Sequence, residues 1–322
     1  MGLQHVGQSE LIQFASDSVN LRREDAQELR AQANRLREKL DGYLADHPQF
    51  ELRKMLLSGS LAKGTALKST SDADVACYVS SDSAPGSVAD LLSWLATKLQ
   101  SAFPNFKPEQ IKPKTYSIGV TFVGTGNEVD IVPILYTGDP QWRGNLISQE
   151  DGTPLMTSVP MHLEFIRRRK QANELHFAQV VRFVKYWAAR QKQNDDGFRF
   201  KSFMLELIVA HLADSGVRLD DYIEALAAVF AFIASDAFRT TIAFADYYDP
   251  ASMCKRTNDP IRIWDPVNCQ NNVAQLYTTA QKGKIVDAAL SAGDAVDAAI
   301  HAMTKGETVR YWQKVFGPAF HA

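Results

Sequence analysis

A two-lobe α+β fold is predicted for this 322-residue chain, and three observations predict it. Short strand-like runs mix with helical stretches in the first half. The second half is helical almost throughout. Between them, residues 136–160 are rich in turn formers: Gly138, Pro140, Gly144, Gly152, Pro154 and Pro160. The expected organisation is a lobe over 1–160 with a mixed or mainly antiparallel sheet, joined to an α-helical lobe over 161–322. The cleft between two such lobes is the expected substrate site.

Composition narrows the function. Hydrophobic residues make up 45% of the chain and charged residues 22%, the balance of a protein with a packed core. A net charge of −2 gives no global field to gather nucleic acid. Cys77, Cys254 and Cys269 are too scattered for a disulfide framework or a zinc cluster. The first residues lack a basic start followed by an apolar run, so no signal peptide is expected. No apolar run is long enough to span a bilayer, and a reducing cytoplasm is the expected compartment.

Residues 1–20 carry no decisive pattern. From 22 to 46, Leu29, Ala33, Leu36, Leu40 and Leu44 recur at helical spacing, with charged side chains on the other faces. His47-Pro48 ends that helix. Residues 53–58 read as a strand entering a Gly59-Ser60 turn, and 61–67 as a brief helix. Over 72–79 the chain alternates, with Asp72, Asp74, Ala76 and Tyr78 on one face and Ala73, Val75, Cys77 and Val79 on the other. Cys77 is therefore a core residue rather than a nucleophile. A helix is expected over 88–103, then a hairpin of strands 116–123 and 128–135 turned at Gly124-Thr125-Gly126-Asn127. Helices are expected over 161–170, 175–192, 200–215, 220–234, 272–282 and 285–303, with 249–270 irregular. The last helix has the stripe Ile285, Ala289, Ala292, Val296, Ile300 and Met303.

Chemistry concentrates in LSGSLAKGTALKSTSDADVACYV, residues 57–79. Asp72 and Asp74 share a strand face about 6–7 Å apart. Close carboxylates repel unless a cation lies between them. A DxD pair alone is equally well a solvent-facing edge of a strand. The turn just upstream shifts the balance: Gly59 admits close backbone approach, and Ser60 offers a hydroxyl and an N–H to phosphate oxygens. Magnesium takes a few carboxylates and completes its shell with phosphate oxygens and water. Asp130, in VDIVPIL, supplies a third acid on the second hairpin strand. A P-loop is excluded, because the order here is Lys63-Gly64-Thr65. No GxGxxG follows a strand.

Gly59-Ser60, Asp72-Ala73-Asp74 and Asp130 together resemble the polymerase-β-like nucleotidyltransferases. SGSLAKGTAL resembles the oligoadenylate-synthase and cyclic-GMP-AMP-synthase branch. HFAQVVRFVKYW, FRFKSFMLELI and WDPVNCQNNVAQLY resemble that branch's helical domain. Over nearly its whole length the chain is similar to the bacterial cGAS/DncV-like nucleotidyltransferases (CD-NTases) of CBASS anti-phage systems. LIQFASDSVNL and TVRYWQKVFG give it the look of clade C. The resemblance implies an enzyme that makes a cyclic oligonucleotide second messenger from ATP, cyclic tri-AMP with 3′–5′ links. It implies that Asp72, Asp74 and Asp130 hold two magnesium or manganese ions, with Asp130 near the attacking hydroxyl. It implies that Gly59 and Ser60 contact the triphosphate, and that Lys185 and Ser202 clamp the β- and γ-phosphates. Lys63 is left open as a further phosphate contact. The implied partners are a HORMA-domain regulator, a Trip13-like ATPase and a nuclease effector acted on by the product. Direct DNA contact is left open.

Read from residues alone, Lys185 is a surface lysine beside a buried stripe. Arg167-Arg168-Arg169-Lys170 is a solvated helix end, with nucleic-acid contact the alternative. Tyr78, Tyr247 and Trp264 are packing residues, with base stacking the alternative. Asp265-Pro266 and Asn271-Asn272 cap and turn the entry to a helix. Two other functions are weighed: a nucleotidyltransferase that modifies an RNA 3′ end, a protein or a small molecule, and a catalytically inactive nucleotide-binding module. The presence of all three acids argues against the inactive module.

Overall fold

The computed structural model describes residues 5–147, 152–254 and 257–322. In chain order the elements are α1 (Gln8–Phe14), α2 (Arg23–Asp46), β1 (Leu52–Leu57), α3 (Gly59–Lys63), β2 (Asp72–Ser80), α4 (Val88–Ala102), β3 (Ile111–Pro113), β4 (Ile118–Thr121), β5 (Glu128–Tyr136), β6 (Gly144–Ile147) and β7 (Pro154–Thr157). Then follow α5 (Val159–Ala172), α6 (His176–Asn194), α7 (Ser202–Asp214), α8 (Tyr222–Ala231), α9 (Pro250–Met253), α10 (Thr279–His301) and α11 (Lys305–Phe316). The chain divides into two compact units, one of Leu21–Glu164 and one of Met1–Asn20 with Phe165–Ala322.

The first unit is built on one mixed sheet of order β1-β2-β5-β4-β3, with β6 on β5 and β7 on β6. β2 and β5 run parallel, while β1 and β4 flank them antiparallel. The alternation read over 72–79 sets the faces. Ala73, Val75, Cys77 and Val79 join Val129 and Ile131 in a core with Leu29, Leu36 and Leu40 of α2 and Leu91, Leu95 and Leu99 of α4. Burial pushes the Cys77 thiol up to about 12, as befits a core residue. On the opposite face, Ala76, Tyr78 and Ile134 form a small second cluster, against which Tyr136, Trp142, Leu146 and Val159 pack. Tyr78 is fully buried there, and its hydroxyl oxygen accepts from the Val159 N–H at 3.1 Å, so it is a packing residue. The 122–127 hairpin closes as the sequence suggests, with the Gly126 N–H on the Phe122 carbonyl at 2.7 Å. The segment read as loop-rich differs: β6 and β7 lie within it and extend the sheet. Their short runs, Gly144–Ile147 and Pro154–Thr157, are too brief for periodicity to register.

The second unit is helical. In α6, Phe177, Val181, Val184 and Ala188 are buried, as their spacing predicts. The N-terminal segment joins this unit through Phe14, whose ring lies 5.0 Å from Phe316, 5.0 Å from Phe320 and 5.6 Å from Tyr186. Helix α11 carries Phe316, and its TVRYWQKVF face buries Thr308, Trp312, Val315 and Phe316.

Two helix expectations need correction. The stretch 272–282 is not a helix of its own. Asn272 is buried and ties its own loop, accepting from the Ile263 N–H at 3.0 Å and donating to the Ile261 carbonyl at 2.8 Å. The helix starts only after Thr278, whose hydroxyl caps the Gln281 N–H while Gln281 reciprocates. Its far end stops at His301, so Met303 of the expected stripe is 82% exposed. The basic run also departs from a solvated helix end. Arg169 is buried against the Phe165 ring and forks onto Asp246 at 3.0 and 2.9 Å, with Asp214 at 2.5 Å. Trp264, 4% exposed, is a packing residue.

Replacing Phe14 with alanine removes a ring packed among Phe183, Tyr186, Phe316 and Phe320. The expected loss is about 3–5 kcal/mol of unfolding free energy. Urea unfolding followed by near-ultraviolet circular dichroism checks it, and a loss below about 1 kcal/mol would show that the segment is not part of this unit's core.

Candidate active site

The parallel register of β2 on β5 pairs Asp72 with Glu128 and Asp74 with Asp130. Paired residues on neighbouring strands point to the same side, and the strands lie about 4.8 Å apart. The even-numbered positions therefore set four acids in a two-by-two grid, at the ends where both strands begin. This is the face opposite the α2–α4 core, on the same side as the Tyr78 cluster. Asp72 is exposed, Asp74 is half-buried, and the Asp130 side chain is 18% exposed. The three acids expected together are brought together, and Glu128 joins them as a fourth.

The Gly59-Ser60 turn packs directly on this grid. Gly59 sits at φ +62°, and a Cβ there would come within 1.9 Å of Asp74 Oδ2. Glycine is required because the Asp74 carboxylate occupies the space a side chain would take. The Ser58 N–H donates to the Asp74 carbonyl at 2.8 Å, fixing the turn to β2. Ser60 is half-buried, and its carbonyl accepts from the Thr65 N–H at 2.9 Å, closing α3 before Gly64 at φ +73°.

A cation not anticipated from the sequence reaches the same face. Lys114 follows β3, and its backbone N–H closes a turn on the Ser117 carbonyl at 2.8 Å. Its Nζ pairs with Asp130 Oδ1 at 2.7 Å and with Glu128 Oε1. Burial works against the charge on Lys114, but the contacts with Asp130 and Glu128 outweigh it, so the lysine pKa is raised. Among the described residues no three acidic, histidine or cysteine side chains converge as ligands of one metal ion. The donor set nevertheless fits magnesium in kind: hard carboxylate oxygens, few in number, arrayed on one face.

Lys185 and Ser202 belong to the helical unit. Lys185 is not at the surface. It is 6% exposed and lies 4.0 Å from Glu206 of α7, itself 2% exposed. Ser202 is exposed at the first turn of α7. Tyr247 sits under the Arg168 guanidinium, 5.5 Å from ring centre.

Glu128 was legible in the alternation of EVDIVPIL, since it falls two residues before Asp130. Lys114 was not, because only the β3–β4 pairing carries it to the acids.

Comparison with known proteins identifies the family. Residues 6–149 match the family model for the Second Messenger Oligonucleotide or Dinucleotide Synthetase domain. The chain is 55% identical over 320 residues to the cyclic AMP-AMP-AMP synthase of Escherichia coli strain MS 115-1, covering 99% of both chains. The structure of E. coli MS115-1 CdnC with ATP superposes with a TM-score of 0.96 at 55% identity, covering 99% of this chain and 100% of that one. The structure of the E. coli MS115-1 CdnC:HORMA-deltaN complex superposes with a TM-score of 0.95 at 52% identity, covering 99% of each. With sheet, acids and full-length similarity in agreement, the chain belongs to the CD-NTase family of CBASS nucleotidyltransferases, in its CdnC group.

Proposed function

We propose that this chain joins three ATP molecules through 3′–5′ phosphodiester bonds and closes them into cyclic tri-AMP, a second messenger of anti-phage defence. The observation that carries the reading is the register that sets Asp74 beside Asp130, with Asp72 on the same face and Gly59-Ser60 packed on Asp74. The likeness to a cyclic AMP-AMP-AMP synthase over 99% of the chain supports the product.

At each step a ribose 3′ oxygen bonds to an α-phosphorus. The bond from that phosphorus to the β-phosphate oxygen breaks, and pyrophosphate leaves. Asp72, Asp74 and Asp130 would hold two magnesium ions, or manganese in their place. Such ions supply charge neutralisation of the triphosphate and activation of the hydroxyl. Asp130 lies beside the attacking hydroxyl in this reading. Ser60 gives its hydroxyl and N–H to the triphosphate, and Gly59 keeps the turn flat against Asp74. Lys185 and Ser202 take the β- and γ-phosphates. Most of the rate comes from alignment and charge, since the residues need not bond covalently to the nucleotide.

We place the protein in the cytoplasm, where its three free cysteines stay reduced. Among the described residues no helix is long and apolar enough to cross a membrane. The proposed regulator is a HORMA-domain protein, as in the complex of the E. coli relative. A Trip13-like ATPase and a product-activated nuclease would complete the system. If DNA binds directly, Arg167 and Arg168 are the exposed part of the basic run.

Asp72→Asn combined with Asp74→Asn is expected to abolish product while preserving the melting curve. Mass spectrometry of products from all four NTPs, with and without the HORMA-domain partner, reads it. A phosphatase-resistant tri-adenylate from the parent chain supports the reading, and the same product from the double variant refutes it. Removal of divalent cations by EDTA is expected to stop synthesis, and added magnesium to restore it.

Lys185→Met is expected to lose both synthesis and about 3–5 kcal/mol of stability, because it strips a buried cation from beside Glu206. Adding Glu206→Gln should return most of the stability and none of the activity. Recovery of synthesis along with stability would make Lys185 purely structural.

A further inference from the structure

We propose that Lys114 is a built-in counter-cation that occupies the third acid of the site and competes with the divalent ions for it. The proposal rests on the reading of Asp72, Asp74 and Asp130 as the cation site.

Three features make Lys114 a constructed part of this face. The first is access. β4 pairs Gly119 with Asp130 and Thr121 with Glu128, so β4 runs past the acids on their free side. Gly119 leaves a slot in that strand. A Cβ there would lie 2.5 Å from Glu128 Oε1 and 2.8 Å from Lys114 Cε. A larger residue there would have to push aside the ends of both side chains.

The second is the pair of acceptors. Lys114 Nζ meets Asp130 and Glu128 together, one from each row of the grid on β5. Glu128 is not among the three acids assigned to the metals. It gives the ammonium a resting partner when Asp130 turns to a divalent ion. The Lys114 side chain is 42% exposed, so its head has room to shift.

The third is the state of the trio. Asp72, Asp74 and Asp130 share a face, and Asp130 meets Lys114 Nζ through Oδ1 at 2.7 Å. A divalent ion arriving at the grid meets one positive charge already seated on a ligand. It binds only after displacing or sharing that charge. Lys114 is thus a positioning residue that sets the concentration of divalent ion at which the site fills.

The test is Mn²⁺ binding without nucleotide, read from the electron paramagnetic resonance signal of the free ion. Lys114→Met keeps the stem and removes the charge, and should tighten binding by about tenfold. Glu128→Gln removes the resting partner, leaves the ammonium to Asp130, and should weaken binding several-fold. In the Lys114→Met background the same Glu128 change should have a clearly smaller effect. Damage to packing alone would not move the two single variants in opposite directions. Lys114→Arg keeps the charge and can fork onto the two carboxylates, so it should bind Mn²⁺ no more tightly than the parent. If Lys114→Met does not fold, Lys114→Gln carries the same expectation. Unchanged or weaker Mn²⁺ binding in the folded neutral variant overturns the role of Lys114. Failure of the underlying reading looks different: Asp72→Asn with Asp74→Asn would then bind Mn²⁺ as well as the parent does.

Discussion

Everything at this site follows from mutual repulsion among carboxylates that the sheet forces into one small area. β2 and β5 pair over nine residues, so Asp72, Asp74, Glu128 and Asp130 have fixed neighbours. Their separations are set by strand spacing and strand rise, not by side-chain choice. Four negative charges so placed raise one another's energy unless cations come among them. The fold resists the simplest relief, which is to shift the register. A one-residue slip would carry the acids into the α2–α4 core and bring Ala73, Val75 and Val129 to the surface. Hydrophobic burial on one face thus holds a charged arrangement on the other that would not persist by itself.

The two glycines of the site answer to that arrangement. At Gly59 the backbone is left open to a ligand while the side-chain position is closed. Its side-chain space is in fact taken by the Asp74 carboxylate. Gly119 leaves room for different neighbours, the Glu128 carboxylate and the stem of Lys114. In both cases glycine serves close packing around an acid, one on each side of the β2–β5 pair. A nucleotide approaching the turn would meet a surface whose shape is already determined by Asp74.

Much of this was legible in the chain, and the limits have physical causes. The alternation over 72–79 and 128–135 gave both the strands and the faces, because period two leaves a clear trace when one face is buried. The three acids followed from that. What periodicity does not contain is which strands become neighbours. The parallel pairing of β2 with β5 bridges the whole of residues 81–127, and Lys114 reaches Asp130 only through the β3–β4 and β4–β5 pairings. Short strands such as β6 and β7 offer too few positions to show a period. The helix over 272–282 was misplaced because Asn271-Asn272 reads equally well as a cap or as a loop tie. In the fold Asn272 spends its amide on Ile261 and Ile263, and Thr278 takes the cap.

Lys185 shows why charge alone does not locate a residue. By spacing it falls beside the buried stripe of α6, which suits a lysine whose head reaches solvent. It is buried instead, because α7 presents Glu206 to it at 4.0 Å. A buried ion pair of this kind contributes little net stability, since both charges lose water. Well-packed apolar residues would hold α6 against α7 at least as well. The pair therefore has no strong justification as a fastening. The same logic applies to Lys114 in reverse. There the charge is only partly buried and its partners are the acids themselves, so it tempers the field of the grid rather than adding a second binding charge. The two lysines thus differ in kind: Lys185 is held between packed helices, whereas Lys114 keeps a head that is free to shift among the acids it meets.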